Sequence, residues 1–81
     1  MGYETLINIL LIVSNNWDVQ SREIVKANLQ IVGKKRLEDY KFALSDVLSK
    51  MLKDTIYYER IQDIESMIID ELKEREVLGG I

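Results

Sequence analysis

The stretch 37-LEDYKFALSDVLSKMLKDTIYYERIQDIESMIIDEL-72 decides the fold, because each of its halves carries an apolar stripe with helical spacing. The first stripe repeats mostly by three or four residues and consists of Leu37, Tyr40, Leu44, Val47, Leu48 and Met51. The second has the same spacing and consists of Tyr57, Ile61, Ile64, Ile68 and Leu72. Stripes of this period are typical of amphipathic helices whose apolar sides face a core.

The two stripes are out of phase, which predicts a turn between them. At about 100° per residue, the step from Leu37 to Ile64 leaves a rotation of roughly 180°, so one straight helix would put its stripes on opposite sides. Asp54 or Thr55 can cap a second helix, since either side chain offers an oxygen to a free backbone N–H. The stretch contains no glycine or proline, so one kinked helix is the alternative.

Charge favours packing of these two helices side by side. Residues 34–53 carry six basic and three acidic groups, a net charge of +3. Residues 54–81 carry three basic and eight acidic groups, a net charge of −5. Exposed ion pairs contribute only about 0.2–1 kcal/mol each, so this pattern affects the orientation of the helices more than their stability.

Length and composition predict one small all-α domain over residues 1–81. An apolar share of 47% is ordinary for a globular protein, and the absence of proline favours uninterrupted helices. We predict a four-helix up-and-down bundle with helices near 3–14, 19–32, 34–53 and 56–76. Asp18 or Ser21 is expected to cap the second helix, and Gly33 to end it with a positive φ. The last helix is expected to fray at 75–77, with a loose end after it.

The most apolar run of the chain, Leu6 to Val13, predicts a core helix, with a buried strand as the alternative. It lacks the flanking residues of a signal peptide and is much shorter than the roughly 20 residues of a membrane span. Because the run is apolar nearly all round, we expect a symmetric dimer that buries the residues Leu6, Ile7, Leu10 and Leu11. The alternative is a monomer in which other side chains close over the helix, namely Phe42, Met51 and Met67.

The composition argues against catalysis and against a bound cofactor. The chain has no histidine and no cysteine, which removes the commonest general base, metal ligand and thiol nucleophile. No glycine-rich elbow or phosphate loop accompanies the serines. Asp70, Glu71 and Glu74 are interpreted as a solvated acidic face rather than as a cation site. We therefore predict a protein that is not an enzyme and that holds neither metal nor cofactor.

A basic cluster follows Gly33 and consists of Lys34, Lys35, Arg36 and Lys41. A compact helix-turn-helix with its turn glycine at Gly33 would need apolar residues at positions 32, 34, 39 and 42. Val32 and Phe42 satisfy this pattern, whereas Lys34 and Asp39 do not. The compact motif is therefore disfavoured, although a looser DNA-binding helix or a patch that contacts the phosphate backbone stays open.

An acidic row in the last helix is a candidate partner surface. Its members share one helical face and are Glu59, Asp63, Asp70 and Glu74. Like charges four residues apart repel by a few tenths of a kcal/mol, so the row is explained either by pairing with the basic helix or by a basic partner. Trp17, the only tryptophan, either closes the end of the bundle or serves as an aromatic anchor for a partner.

Three functions follow in order of preference. The first is a cytoplasmic, non-catalytic adaptor or regulator that acts through protein contacts. The second is a small DNA-binding regulator that uses the basic cluster. The third is an immunity-type or inhibitor protein that binds a basic target through its acidic last helix. No membrane partner is expected.

Overall fold

The computed structural model describes the backbone of residues 4–79 and the side chains of residues 4–77. The described residues form four packed helices. They are α1 (Glu4–Asn15), α2 (Val19–Gln30), α3 (Lys34–Lys50) and α4 (Ile56–Gly79). No strand occurs within these residues, so the predicted helical Leu6–Val13 segment is confirmed and its strand alternative is wrong. The predicted all-α four-helix bundle is confirmed.

The predicted turn between the two apolar stripes is confirmed, and the kinked helix is wrong. Met51 leaves α3 with an extended backbone, φ −86° and ψ 154°. The Oγ1 of Thr55 accepts the N–H of Tyr58 at 3.2 Å, which caps the start of α4. Residues from both stripes are consequently buried in one core with residues of α1 and α2, namely Leu6, Ile9, Val13, Val25, Leu29, Val32, Leu37, Tyr40, Leu44, Ile61, Ile64 and Ile68.

Helix α4 is the central element of the bundle. Its 24 residues extend about 36 Å at 1.5 Å per residue, which approaches the longest dimension of the molecule, 41 Å. It packs against α1, α2 and α3, whereas α3 packs mainly against α4. Burial of α4 side chains therefore joins the α1–α2 pair to α3.

Two arginines of α4 bind the carboxyl ends of α1 and α2. Arg60 donates to the carbonyl of Val13 at 2.7 Å. Arg75 donates to the carbonyls of Leu29 and Gln30 at 3.1 and 3.0 Å. Neither α1 nor α2 has a basic residue in its last turn, so α4 supplies the cations that the negative ends of their dipoles favour.

The junction between α2 and α3 differs from the prediction. Helix α2 ends at Gln30 rather than near 32, and Gly33 has φ −65° and precedes α3 as its N-cap. The predicted positive φ at Gly33 is wrong, because the C-cap of α2, Ile31, has φ −96° and ψ −3°, and the chain then buries Val32 in the core without a left-handed residue. The cap of α2 agrees with the prediction, since Asp18 accepts the N–H of Ser21 at 2.8 Å. That hydrogen bond lowers the pKa of Asp18.

The remaining helix boundaries also need correction. Helix α3 ends at Lys50 rather than near 53, and α1 ends at Asn15. Helix α4 continues to Gly79, so the predicted fraying at 75–77 is wrong. Arg75 explains this, because it holds the last turns of α4 against α2. The predicted start at residue 3 and the end of the predicted tail, 80–81, lie outside the described residues.

The predicted charge complementarity of α3 and α4 is not realised as ion pairs. The described residues form three ion pairs, Arg22–Asp63, Lys50–Asp46 and Arg75–Glu71. None of them joins α3 to α4. Apolar burial therefore holds these two helices together.

Candidate functional site

The acidic row of α4 is divided by the fold into carboxylates with and without a partner. Asp63 accepts the indole N–H of Trp17 at 2.9 Å and also contacts Arg22 at 3.4 Å. Trp17 itself is half-buried and packs against the core. The hydrogen bond between Trp17 and Asp63 thus joins the α1–α2 connection to α4.

Two other members of the acidic row, Asp70 and Glu74, line a groove between α2 and α4. The groove has a volume of about 420 Å³. Its apolar lining comes from Val19, Leu29 and Met67. The charged residues along its two walls are Arg22, Glu23, Lys26, Asp70, Glu71 and Glu74. We call this feature the α2–α4 groove.

The carboxylates of the groove differ in their partners. Glu71 is 13% exposed and pairs with the Nε of Arg75 at 2.9 Å. Asp70 and Glu74 are exposed, and no described residue forms a hydrogen bond or ion pair with either. They lie four residues apart, and no ion pair among the described residues offsets their mutual repulsion. The groove thus combines an apolar floor with two carboxylates on its α4 wall that are available to a basic ligand. Its α2 wall carries Glu23 and Lys26, which form no ion pair with any described residue.

Glu59 lies apart from the groove, in the first turn of α4, and is exposed. A carboxylate there is favourable because the amino end of a helix is positive. Glu59 therefore has a structural explanation that Asp70 and Glu74 lack.

The basic cluster lies at the start of α3. Lys34, Lys35 and Arg36 form its first turn, and Gly33 contributes no side-chain cap. These cations and Lys41 are exposed and form no ion pair among the described residues. At about 100° per residue, Lys34 and Lys41 share one flank while Lys35 and Arg36 point roughly 100° and 200° away. The cluster does not form one flat basic face.

The four candidate self-association residues divide into two pairs. Leu6 is buried in the core, and Leu10 is half-buried against it. Ile7 and Leu11 are 54% and 58% exposed, on the side of α1 away from the core. Phe42 does not close over α1 as the monomer alternative required, since it is 80% exposed. It lies roughly 200° from the buried Tyr40 on α3.

The sequence interpretation missed the contribution of α2 to the groove and the roles of Arg60 and Arg75. The absence of basic residues from the last turns of α1 and α2 was the available signal for the two arginines. Nothing local in the sequence indicates which flank of α2 meets α4.

Neither a metal site nor a membrane span is found in the described part of the chain. Residues 4–79 contain no group of three acidic side chains placed to hold a metal ion. None of their helices is both long and apolar enough to cross a membrane. Comparison of the chain with protein-family models, with curated proteins and with solved structures gives no match.

Proposed function

We propose that the protein is a cytoplasmic, non-catalytic adaptor or regulator that binds a basic amphipathic helix of another protein in the α2–α4 groove. The observation that carries this proposal is the pairing of an apolar floor with the unpartnered carboxylates of Asp70 and Glu74. Amphipathic helices bind grooves through apolar side chains at helical spacing. Charges at the rim then fix orientation and exclude other partners.

The dimensions of the groove suit such a ligand. Its α2 wall runs from Val19 to Leu29, about 15 Å at 1.5 Å per residue. Its α4 wall runs from Met67 to Glu74, about 10 Å on the same basis. A partner helix of two to three turns has this length, and lysine or arginine along its edge would face Asp70 and Glu74.

The first prediction is that neutralising the groove removes the partner. A double variant, Asp70→Asn with Glu74→Gln, is compared with a control, Glu59→Gln with Glu76→Gln, which removes two charges from α4 outside the groove. The measurement is affinity capture from the native host followed by quantitative mass spectrometry. Wild type and control should capture a protein for which the groove variant has an affinity about tenfold lower, which corresponds to 1.4 kcal/mol of binding free energy. If no captured protein distinguishes the groove variant from the control, the proposal is wrong.

The same pair of variants tests the inhibitor alternative. An inhibitor that neutralises a basic target through the whole acidic helix would use Glu59 as well as the groove. Capture would then weaken similarly in both double variants. An adaptor that uses the groove alone loses its partner in one of them.

DNA binding is a second candidate, favoured by the cations at the start of α3. Three consecutive basic residues at a helix amino end oppose its dipole, at about 0.3–1 kcal/mol for each charge. Lys34, Lys35 and Arg36 have no acidic partner among the described residues that would offset this cost. A phosphate backbone would supply that partner.

The second prediction concerns this candidate. Fluorescence anisotropy with labelled duplex DNA is expected to show no binding above background at near-physiological salt, because the net charge is −3 and the four cations diverge. If the four cations did bind DNA, the logarithm of the affinity would fall as the salt concentration rises. The fall would be roughly 0.9 log units per tenfold increase in salt for each phosphate contacted. Lys35→Glu with Arg36→Glu would abolish this binding. Tight, salt-sensitive binding by wild type would place DNA first.

A further inference from the structure

The side of the α1–α2 pair that faces away from α4 carries exposed apolar residues. Ile7 and Leu11 lie on α1, Ile24 lies on α2 and Ile31 directly follows it, all of them exposed. We call these four residues the outer face. Single exposed apolar residues are ordinary on a protein surface, whereas a contiguous group marks an interaction site.

The register of the two helices brings members of the outer face together. Helices α1 and α2 pack on each other and are joined by residues 16–18. Leu11 lies four residues before the end of α1, and Ile24 lies five residues after the start of α2. The two therefore lie at nearly the same height above the connection. Ile24 and Ile31 also lie on the flank of α2 opposite the groove.

Three polar side chains beside the outer face have hydrogen-bond partners within their own helices. The Oγ of Ser14 donates to the carbonyl of Leu10 at 2.8 Å, and the Nδ2 of Asn15 donates to that of Leu11 at 3.2 Å. The Nδ2 of Asn28 donates in the same way to Ile24 at 2.9 Å. Each of these groups makes one hydrogen bond, which avoids part of the penalty that unpaired polar atoms carry on burial.

Charge indicates what covers the outer face. Residues 5–17 contain no charged side chain, and Glu4 lies at the edge of α1. In a two-fold interface each surface meets its own copy, so a surface of one sign would repel itself. The groove carries both signs with an excess of acidic groups, and the basic cluster is a surface of that kind. The outer face is not, and at a net charge of −3 it is where two copies approach with least repulsion.

We propose that two copies of this chain pair through the outer face about a two-fold axis. The proposal differs from the predicted dimer in its residues, because Leu6 and Leu10 belong to the core of one chain and Ile24 joins the interface. It is also independent of the proposed groove ligand. Groove and outer face lie about 150° apart around α2 at 100° per residue. The dimer would keep both grooves open, and two linked partner segments would bind it with increased avidity.

The test is sedimentation velocity across a concentration series beginning at low micromolar. Wild type should form a species of twice the 9.5 kDa chain mass. Leu11→Glu should raise the dissociation constant by at least about 100-fold, because each dimer would then bury two unpaired carboxylates. Phe42→Glu is the matched control, since it places the same charge at an exposed apolar position on α3, and it should stay dimeric.

Circular dichroism separates loss of the interface from loss of folding, because a variant that fails to fold would also lose the dimer. Leu11→Glu is expected to keep the wild-type helical signal. If it does not, Ile7→Gln and Ile24→Gln together provide an uncharged disruption at exposed positions. A wild type that stays at the chain mass on concentration would overturn the proposal. So would a dimer that persists in folded variants of the outer face.

Discussion

Replacement of Ile64 by alanine should lower the free energy of unfolding by about 3–4 kcal/mol, within the range for buried isoleucine truncations. Ile64 is fully buried on the helix that packs against the other three. A domain of 81 residues has a total stability of roughly 4–12 kcal/mol at typical values per residue. The substitution therefore removes a large part of it, and neighbouring helices cannot collapse into the cavity without losing other contacts.

Two isoleucines on the same helix provide matched controls for Ile64. Ile69 is half-buried and Ile56 is 58% exposed. Alanine at Ile69 should lower the free energy of unfolding by less than alanine at Ile64 does. Alanine at Ile56 should change it by at most about 0.5 kcal/mol, as for ordinary surface sites. Urea unfolding followed by Trp17 fluorescence and circular dichroism, at one protein concentration, measures all three. If alanine at Ile56 and alanine at Ile64 lowered the free energy of unfolding equally, the central position of α4 would be contradicted.

The core of α3 and α4 was predictable because it depends on local periodicity. Leu37, Tyr40 and Leu44 all belong to the first predicted stripe, and Ile61, Ile64 and Ile68 to the second. The phase difference between the stripes likewise required a turn before α4, and Thr55 at the end of that turn caps the helix. These features follow from 3.6 residues per turn and from the chemistry of one hydroxyl.

Helix α1 shows where periodicity stops being informative. Its apolar residues surround the helix, so the sequence pattern cannot separate Leu6, which is buried, from Ile7, which is exposed. Packing against α2 and α4 makes that choice. The predicted interface therefore included Leu6 and Leu10, two residues that the core uses.

Long-range polar contacts explain the other differences. The acidic row was recognised as one face of a helix, but its pattern does not indicate that Trp17, 46 residues away, donates to Asp63. The end of α4 was predicted too early for the same reason. Arg75 lies 45 residues from Gln30 in the sequence, and their contact exists only in the folded chain.

Replacement of Arg75 by alanine is expected to lower the free energy of unfolding by about 2–4 kcal/mol, although the residue lies near the end of the last helix. Its partner Glu71 is only 13% exposed, so alanine at Arg75 leaves a largely buried carboxylate unpaired. The carbonyls of Leu29 and Gln30 lose the arginine N–H in the same step, although that of Leu29 keeps the N–H of Val32. Deleting one partner of a buried pair is far more costly than the net contribution of the pair, because the remaining charge keeps its desolvation penalty.

Three further variants separate these contributions to the effect of Arg75. Arg75→Lys keeps the charge but lacks the planar fork that reaches Glu71 and α2 together, so its loss should be intermediate. Lys73→Ala removes an exposed cation from the same helix and should change stability by at most about 0.5 kcal/mol. Glu71→Gln combined with Arg75→Ala should recover part of the loss, because no unpaired carboxylate remains. If Arg75→Ala unfolds at the same urea concentration as Lys73→Ala, Arg75 does not hold α4 to α2.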